Sequence, residues 1–553
     1  MAGGGAPSNT CDHRVSNGLF RRRRNVSSGQ NEDERRKNVA PRFGRRGFLK
    51  TSTVATAAGG VGLVAASPAT AQDRDQAPPR DSGTRGRRYV VRGGAVMSMD
   101  PKVGDFEVAD VLVEGKKIVA VGRDLRASGA DVIDARGRIV MPGFVDTHHH
   151  LFETAERAFL ANGLLLDDRS GSPSANPNYG KHILDGFRLV YRPQDVYIND
   201  LFAGLSQLDA GVTTVLDVSQ IHHSPEHTDA AIQALIDTGR RAAFGYFEGD
   251  GRATARYPED ARRIRDRWFS SDDQLVSMVM GGELHLGRNV YTRSWAIARE
   301  LDIKIAAHSV GSWGMLPVFE DLAQGTAGVR VGPDNLFFHM TGMSDRVWKR
   351  FRDSGAQVSL AFPIEMVMRH GTPPILKMQE LGMEPSLSSD VETTMAADPF
   401  TLMRSAMIMQ RMVVNQIVLD QGDPVPPNNW PTPAEGTPEL LTVRDVLRYG
   451  TVNGAKHLGL AGKTGTLTPG QEADIVVLDA TALNVAPLNS VPGAVVTLMD
   501  RTNVETVIVA GKVRKWRGRL LDADLGRLRR ELEASRDYLF KAAGIRQDLF
   551  AYS

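Results

Sequence analysis

Apolar runs and amphipathic segments alternate through the middle of the chain, and this alternation most constrains its fold. Eight runs between residues 139 and 460 have the length and composition of buried strands, and helical periodicity fills most of the intervals. Eight strand–helix units over about 320 residues predict an α/β fold, a (β/α)₈ TIM-like barrel with insertions; a doubly wound open sheet is the alternative. The predicted strands are Ile139–Val145, Thr213–Asp217, Ala242–Phe247, Val276–Gly281, Lys304–Ala307, Leu336–Phe338, Gln357–Ala361 and Pro385–Ser388.

Both flanks of this region consist of short β-type runs separated by glycine and charged turns. They predict one small β-sandwich domain built from residues 88–138 and 461–520, and Ala494–Leu498 is among its expected strands. The other predicted segments are a polar linker at 72–87, the barrel at 139–460 and a charged, amphipathic C-terminal helix within 521–553.

The first 71 residues differ from the rest in charge. They hold 12 Lys and Arg against 4 Asp and Glu, whereas residues 72–553 hold 55 basic and 61 acidic side chains. Arg45-Arg46 precedes an apolar, Gly/Ala-rich stretch and the small-residue site Ala69-Thr70-Ala71. This order predicts a twin-arginine signal peptide over residues 1–71 and export by the Tat machinery to the periplasm or the extracellular space. A membrane anchor and a wrongly extended start are the alternatives.

Composition excludes several functional classes. Cys11 is the only cysteine, so an intramolecular disulfide framework and a cysteine zinc cluster are both impossible. The mildly acidic body offers no polyanion-binding surface, which argues against a nucleic-acid partner. Apart from the leader, no stretch of the sequence reaches 18 apolar residues, so we expect no stable membrane anchor.

Histidines and one aspartate follow the predicted strands at their carboxyl ends. The first strand leads into His148-His149-His150; because side chains alternate along a strand, His148 and His150 share a face and can bind one metal ion. His308, His339 and Asp390 end the fifth, sixth and eighth strands. Barrel enzymes build their active sites at this end, so the set indicates a catalytic site although an isolated histidine would not.

These motifs resemble the amidohydrolase superfamily of metal-dependent hydrolases, and most closely the branch of cytosine deaminase and the atrazine and other triazine hydrolases. The resemblance covers about residues 88–520 and rests on Pro142–His150, Gly211–Thr214, the later histidines with Asp390, and Gly465–Val477. It is specific for the superfamily and much less so for the substrate.

The resemblance implies a ligand set and a chemistry. His148, His150, His308 and Asp390 would hold one divalent metal, with Zn²⁺ preferred and Fe²⁺ the alternative. The metal would activate water as hydroxide for attack on carbon. Asp390 would take the water's proton and pass it to the leaving group, and His339 would hydrogen-bond the hydroxide or the developing oxyanion, or serve as a further ligand.

One position departs from the family pattern. Triazine and cytosine deaminases usually carry a glutamate three residues after the fifth-strand histidine, where it shuttles a proton to the ring nitrogen; here that residue is Gly311. Glu283 and Glu248 are candidates to replace it. Glu283 also allows an alternative in which it bridges two metal ions. Some relatives use a carboxylated lysine or a glutamate as this bridge, and no lysine occurs between Val276 and Arg288.

The resulting hypothesis is an exported amidohydrolase that cleaves a non-peptide C–N bond of a small cyclic or heterocyclic amine, amidine or amide. The alternatives are a binuclear deacylase or dipeptidase-type hydrolase, and a non-catalytic scaffold on the same fold. A homo-oligomer is possible. The candidate substrate-binding residues are Glu283, Trp313, His222 and Glu365.

Overall fold

The structure is a computed structural model that describes residues 77–252, 254–421, 424–425 and 430–550, with only the backbone of 424–425. The predicted twin-arginine signal peptide and Cys11 lie outside the described residues.

Eight parallel strands form one sheet in which each strand pairs with its neighbour in the chain. A parallel bridge between His149 and Asp390 joins the first strand to the end of the eighth, so the sheet closes into the expected barrel. The strands are β1 (Phe144–His149), β2 (Val212–Ser219), β3 (Arg241–Tyr246), β4 (Val276–Gly281), β5 (Lys304–Val310), β6 (Asn335–Thr341), β7 (Gln357–Leu360) and β8 (Ser386–Leu387).

The predicted first strand, Ile139–Val145, is wrong as a single element. It divides at Gly143 into Arg138–Pro142, which belongs to the flanking sheet, and β1. A β-carbon at Gly143 would lie 2.2 Å from the side chain of Thr213, so only glycine lets the chain pass so close to β2.

Helices cover the barrel between its strands. Two of them, Pro225–Thr238 and Leu316–Gln324, have proline in the first turn and end at a glycine in the left-handed region. None of the helices in the described ranges is both long and apolar enough to cross a membrane. The α-helices are Pro193–Asp209, Pro225–Thr238, Ala261–Trp268, Arg288–Glu300, Leu316–Gln324, Asp345–Ser354, Phe362–Val367, Ile375–Glu380, Pro399–Gln421, Val443–Arg448, Gly454–His457, Val491–Thr497 and Leu525–Ala542.

Strands from both flanks form one additional sheet of nine hydrogen-bonded strands, so the two flanks build one domain as expected. The flanks meet where Arg138–Pro142 pairs antiparallel with Ile475–Asp479. The domain limits 88–138, 139–460 and 461–520 stay predictions. The sheet contains Arg88–Met97, Asp105–Glu114, Lys117–Gly122, Asp131–Asp134, Arg138–Pro142, Ile475–Asp479, Val504–Val509, Lys512–Trp516 and Arg519–Leu520.

One predicted strand of this domain, Ala494–Leu498, is a helix instead. The hydroxyl of Ser490 accepts a hydrogen bond from the backbone N–H of Gly493 (3.2 Å), and Pro492 lies in the first turn of Val491–Thr497. This capping chemistry starts a helix whose apolar side buries Val495 and Val496, so the apolar run alone was a misleading strand signal.

Candidate active site

The carboxyl ends of β1, β5, β6 and β8 bring the predicted histidines and Asp390 together. The backbone N–H of Asp390 donates to the carbonyl of His148, and the N–H of His150 donates to the carbonyl of Asp390, both at 2.8 Å. Asp390 and His339 have φ of 60° and 71°, in the left-handed region that non-glycine residues rarely adopt. Such backbone conformations cluster at active sites.

The polar atoms of this set converge on one point. The Nε2 atoms of His148 and His150 lie 3.1 Å apart, and they are 3.4 and 3.5 Å from Oδ1 of Asp390. Nε2 of His339 lies 3.6 Å from Oδ2 of the same carboxylate. His308 completes one metal-capable group with His148 and His150, and His339 with Asp390 and His148 forms the other.

This donor set fits a divalent metal ion. The donor atoms lie within 4.8 Å of one another in each group, three imidazole nitrogens in the first and two nitrogens with a carboxylate oxygen in the second, and all five residues are buried. Burial, together with the charges of neighbouring histidines, lowers the pKa of His148, His150 and His339 well below its ordinary value. The neutral imidazole is the form that coordinates a metal, so the interior favours the binding state.

Glu283 supports His308 from behind. Its Oε1 lies 2.6 Å from His308 Nδ1, and the backbone N–H of His308 donates to both carboxylate oxygens at 3.2 and 3.3 Å. Burial opposes a charge on His308, but the carboxylate outweighs it and raises the pKa of the ring. With Nδ1 occupied, the ring turns Nε2 toward the other histidines, as a carboxylate behind a metal-bound histidine does.

Glu365 supports His339 in the same way. Its Oε1 accepts hydrogen bonds from His339 Nδ1 at 3.0 Å and from the backbone N–H of Ala361 at 2.9 Å. Glu365 is fully buried, and burial raises the pKa of its carboxyl well above the usual range. The two pairs leave the Nε2 atoms of both histidines free for a ligand or a reacting group.

A buried network lies behind β1. Ser389 donates to the carboxylate of Asp146 and also contacts Nδ1 of His149 at 2.9 Å. Gln207 donates to the same carboxylate at 2.8 Å and accepts from Arg240 at 2.8 Å. His149 therefore points away from the metal-capable groups, as the alternation along the strand predicts.

A cavity of about 650 Å³ opens onto this cluster. Its wall includes His150, His308, His339 and Asp390 from the cluster. The remaining polar and aromatic side chains on the wall are Tyr179, Asp185, Arg188, Gln220, Glu248, Asp250, Arg252, Tyr257, His285, Trp313 and His370. This volume is typical of a small-molecule site.

The four residues predicted to bind substrate occupy different positions. Trp313 is half-buried and lines the cavity. Glu283 and Glu365 lie one layer behind it, fully buried against His308 and His339. His222 is buried against Thr228, with Nδ1 3.0 Å from its hydroxyl, and does not line the cavity.

Position 311 has no room for a side chain. A β-carbon there would lie 2.8 Å from the carbonyl oxygen of Thr341 and 2.9 Å from that of Gly342. The ends of β5 and β6 approach so closely at this point that the glutamate usual in the resembling deaminases cannot be accommodated without a backbone shift. The departure seen in the sequence is thus built into the packing of the barrel.

Two further histidines, outside the four candidate substrate-binding residues, line the cavity. His285 follows β4 and has Nδ1 3.1 Å from Oε2 of Glu283; burial lowers the pKa of this ring, but the carboxylate raises it overall to about 9. His370 follows β7, and neither ring nitrogen has a hydrogen-bond partner among the described residues. The segment Glu283-Leu284-His285 contained a signal for His285, because a histidine two residues after a carboxylate at a strand end can contact that carboxylate.

A family model described as the amidohydrolase family matches residues 139–514. Among curated proteins, the chain is 28% identical over 444 residues to a 5′-deoxyadenosine deaminase from Methanosarcina mazei, covering 77% of this chain and 92% of that protein. It is 25% identical over 447 residues to a 5-methylthioadenosine/S-adenosylhomocysteine deaminase from Symbiobacterium thermophilum, covering 77% and 93%.

Solved structures share the fold. A zinc-bound adenosine deaminase from Xanthomonas campestris superposes with a TM-score of 0.68 at 21% identity, covering 83% of this chain and all of that one. A zinc complex of atrazine chlorohydrolase from Arthrobacter aurescens gives 0.62 at 20% identity, covering 81% and all of it. The match across most of the barrel, with deaminase relatives along the same length, identifies the chain as a member of the amidohydrolase family and a hydrolase of carbon–nitrogen bonds other than peptide bonds.

Proposed function

We propose that this chain is an exported, zinc-dependent hydrolase that removes an amino group from a cyclic or heterocyclic carbon. The convergence of three histidine side chains and Asp390 at a cavity of about 650 Å³ carries the proposal. The relatives named as deaminases of 5′-deoxyadenosine and of 5-methylthioadenosine or S-adenosylhomocysteine support a ring amine as the substrate.

The side chains divide the work around the metal. His148, His150, His308 and Asp390 would hold it, and the ion supplies a Lewis acid that activates water. Asp390 accepts a proton from the attacking water and delivers it to the leaving nitrogen. Because Nδ1 of His339 donates to Glu365, its Nε2 presents a lone pair that accepts a hydrogen bond from the water.

Zinc is the preferred ion and Fe²⁺ the alternative, because nitrogen and carboxylate donors suit both. Zinc in two solved structures of the same fold supports this choice. The two-metal alternative has less support, since the oxygens of Glu283 are occupied by His308 and by His285.

The test is release of ammonia by the purified protein. The panel contains 5′-deoxyadenosine, 5-methylthioadenosine and S-adenosylhomocysteine, with atrazine as a substrate that has a different leaving group. We expect turnover of at least one ring amine, loss of activity after chelation, and recovery on adding zinc or Fe²⁺. A protein that takes up zinc yet hydrolyses only linear N-acyl compounds would contradict the deaminase assignment.

Export is a second part of the proposal and rests on the leader alone. We expect Arg45→Lys combined with Arg46→Lys to keep the precursor inside the cell, because Tat recognition needs both arginines. Arg35→Lys with Arg36→Lys is the matched control and should leave export unchanged. Fractionation of cells that express the full chain measures the outcome, and export of the Arg45/Arg46 variant would contradict the Tat assignment.

A homo-oligomer stays a prediction. Light scattering on the purified chain checks it directly.

A further inference from the structure

The proposed reaction needs a proton donor that the chain does not carry at the usual place. Hydrolytic loss of an amino group from a ring carbon is easier when the neighbouring ring nitrogen is protonated as water adds. Position 311 is glycine and has no space for a β-carbon beside Thr341 and Gly342. On the proposed function, another residue of the cavity wall must supply this proton.

Three side chains on the cavity wall are already committed to other partners. The hydroxyl of Tyr179 donates to Oε1 of Glu153 at 2.6 Å, and that of Tyr257 donates to the carbonyl of Gly281. Asp250 is paired with Arg252. These groups hold the wall together and do not present a free N–H or O–H to a bound ring.

His285 differs from them in geometry. Its Nδ1 lies 3.1 Å from Oε2 of the fully buried Glu283, while a third of the side chain (33%) stays exposed on the cavity wall. The ring stacks on Trp313, with centroids 6.0 Å apart and planes 12° from parallel. A buried carboxylate on one nitrogen and a stacked aromatic face fix the ring and leave Nε2 available, which is the arrangement of a histidine poised for proton transfer.

Glu283 connects this histidine to the metal-capable cluster. Its Oε1 contacts Nδ1 of His308 at 2.6 Å and its Oε2 contacts Nδ1 of His285 at 3.1 Å. One buried carboxylate therefore orients both a histidine of the cluster and a histidine of the cavity wall. This coupling keeps the two rings in a constant relation although they come from the ends of β5 and β4.

We propose that His285 is the general acid of the reaction, positioned by Glu283, and that it takes the part of the side chain missing at Gly311. As water adds to the ring carbon, Nε2–H of His285 protonates the adjacent ring nitrogen. Asp390 passes the water's proton to the amino group, the C–N bond breaks and ammonia leaves. The ring nitrogen or the new hydroxyl then returns one proton to His285, so that one water is consumed for each ammonia released.

The neighbourhood of Nε2 also defines the edge of the substrate. Oε1 of Glu248 lies 4.0 Å from Nε2 of His285, and Oε2 of Glu248 has no hydrogen-bond partner among the described residues. A donor and an acceptor side by side match a ring that presents a nitrogen lone pair next to an N–H. The preferred substrates are therefore heterocycles with a cyclic amidine edge.

The test compares His285→Gln with wild type on the panel substrate that is hydrolysed fastest. We expect kcat to fall by about 10²-fold or more, KM to change little, and zinc content per chain to stay the same. His227→Gln is the matched control, because His227 is a buried histidine outside the cavity. His285→Ala assayed with added imidazole provides the second variant, and the imidazole should restore part of kcat there and have no such effect on wild type.

The outcomes separate this inference from the proposed function. Wild-type turnover with a His285→Gln variant within about threefold of its kcat overturns the inference and leaves the deaminase standing. A loss that appears in KM alone, or one accompanied by loss of zinc, also overturns it, because His285 would then only bind substrate or support the cluster. Absence of turnover by the zinc-loaded wild type on the whole panel overturns both.

Discussion

The two ends of the barrel both bury charged side chains, and they do so differently. At the amino end, Arg241 of β3 donates to Asp474 at 2.9 Å and to Glu472 at 2.7 Å, which ties the barrel to the additional sheet. At the carboxyl end, among the described residues, neither ring nitrogen of His370 nor Oε2 of Glu248 has a partner.

This difference between the two ends distinguishes residues that stabilise the fold from residues that act in the reaction. Removing one partner of a buried ion pair leaves an uncompensated charge and destabilises the fold. A buried polar atom without a partner on a cavity wall is instead placed to contact a ligand. In barrel enzymes the carboxyl end is the catalytic end, and the opposite end serves stability. Variants at the two ends should therefore separate activity from the free energy of unfolding.

The largest effect is expected at Asp390. We expect Asp390→Asn to lower kcat by about 10³-fold, because the amide cannot accept the water's proton. Burial raises the pKa of Asp390 to about 7, although His308 opposes the shift, so the fold disfavours the ionised form and a neutral amide should not lower the stability of the metal-free protein. Steady-state kinetics with thermal unfolding measure both. Asp266→Asn, at an exposed helix position, is the control. If Asp390→Asn lowered the free energy of unfolding as well as kcat, the separation of activity from stability would be contradicted.

The reverse result is expected at Arg241. Arg241→Met leaves Asp474 and Glu472 buried without their cation, which should cost about 3–5 kcal/mol in the free energy of unfolding. kcat should stay unchanged below the unfolding transition. Denaturant titration measures the loss. Arg262→Met breaks only an exposed pair with Glu300 and should hardly change stability. A stable but inactive Arg241→Met protein would contradict the assignment of stability to the amino end and of catalysis to the carboxyl end.

A smaller effect sharpens the comparison within the catalytic end. Glu283→Gln should weaken metal binding by about 10- to 100-fold, because His308 loses its orienting carboxylate. Glu365→Gln should leave the affinity for the metal nearly unchanged, because its partner His339 is not among the proposed ligands. At saturating metal both variants should lower kcat, Glu283→Gln because it releases His285 and Glu365→Gln because His339 loses the carboxylate that orients it. Competitive zinc titration measures the affinities, with Glu300→Gln as an exposed control. Equal zinc affinities for the two variants would contradict the assignment of His308, and not His339, as a ligand.

The smallest effect is expected at Trp313. Trp313→Phe keeps an aromatic face on the cavity but reduces its area, so KM should rise by about two- to fivefold with kcat nearly constant. Trp268→Phe, a half-buried tryptophan outside the cavity, should leave both constants unchanged. A large fall in kcat for Trp313→Phe would show that the indole itself, and not any aromatic face, is needed to hold His285.

Strand-end histidines could be predicted from the sequence because alternation and barrel topology are local rules. His148, His150, His308, His339 and Asp390 each follow a recognisable apolar run, and the structure brings them together. The break at Gly143 could not be predicted from the run itself, since it depends on the approach of Thr213 from β2.

The sequence identifies Glu283 and Glu365 as candidate site residues but does not predict that they hydrogen-bond His308 and His339. Glu283 stands in the loop after β4 and Glu365 in the short helix Phe362–Val367 after β7. Whether such a side chain reaches the cavity or a histidine behind it depends on packing between strands far apart in the chain. The same holds for His285, whose importance follows from Glu283 and Trp313 together. The helix at Val491–Thr497 replaces the expected strand for a local reason, because Ser490 caps the segment while its apolar run by itself matches a strand.

The central claim is a single divalent metal held at the carboxyl end of the barrel. Elemental analysis of the purified protein after zinc reconstitution tests it most directly, with His148→Ala as the variant that should lose the ion. The account predicts one zinc per chain in wild type and none in the variant. Two zinc ions per chain would make Glu283 a bridging ligand and contradict the assignment of its oxygens to His308 and His285, and a wild-type chain without metal would contradict the catalytic site itself.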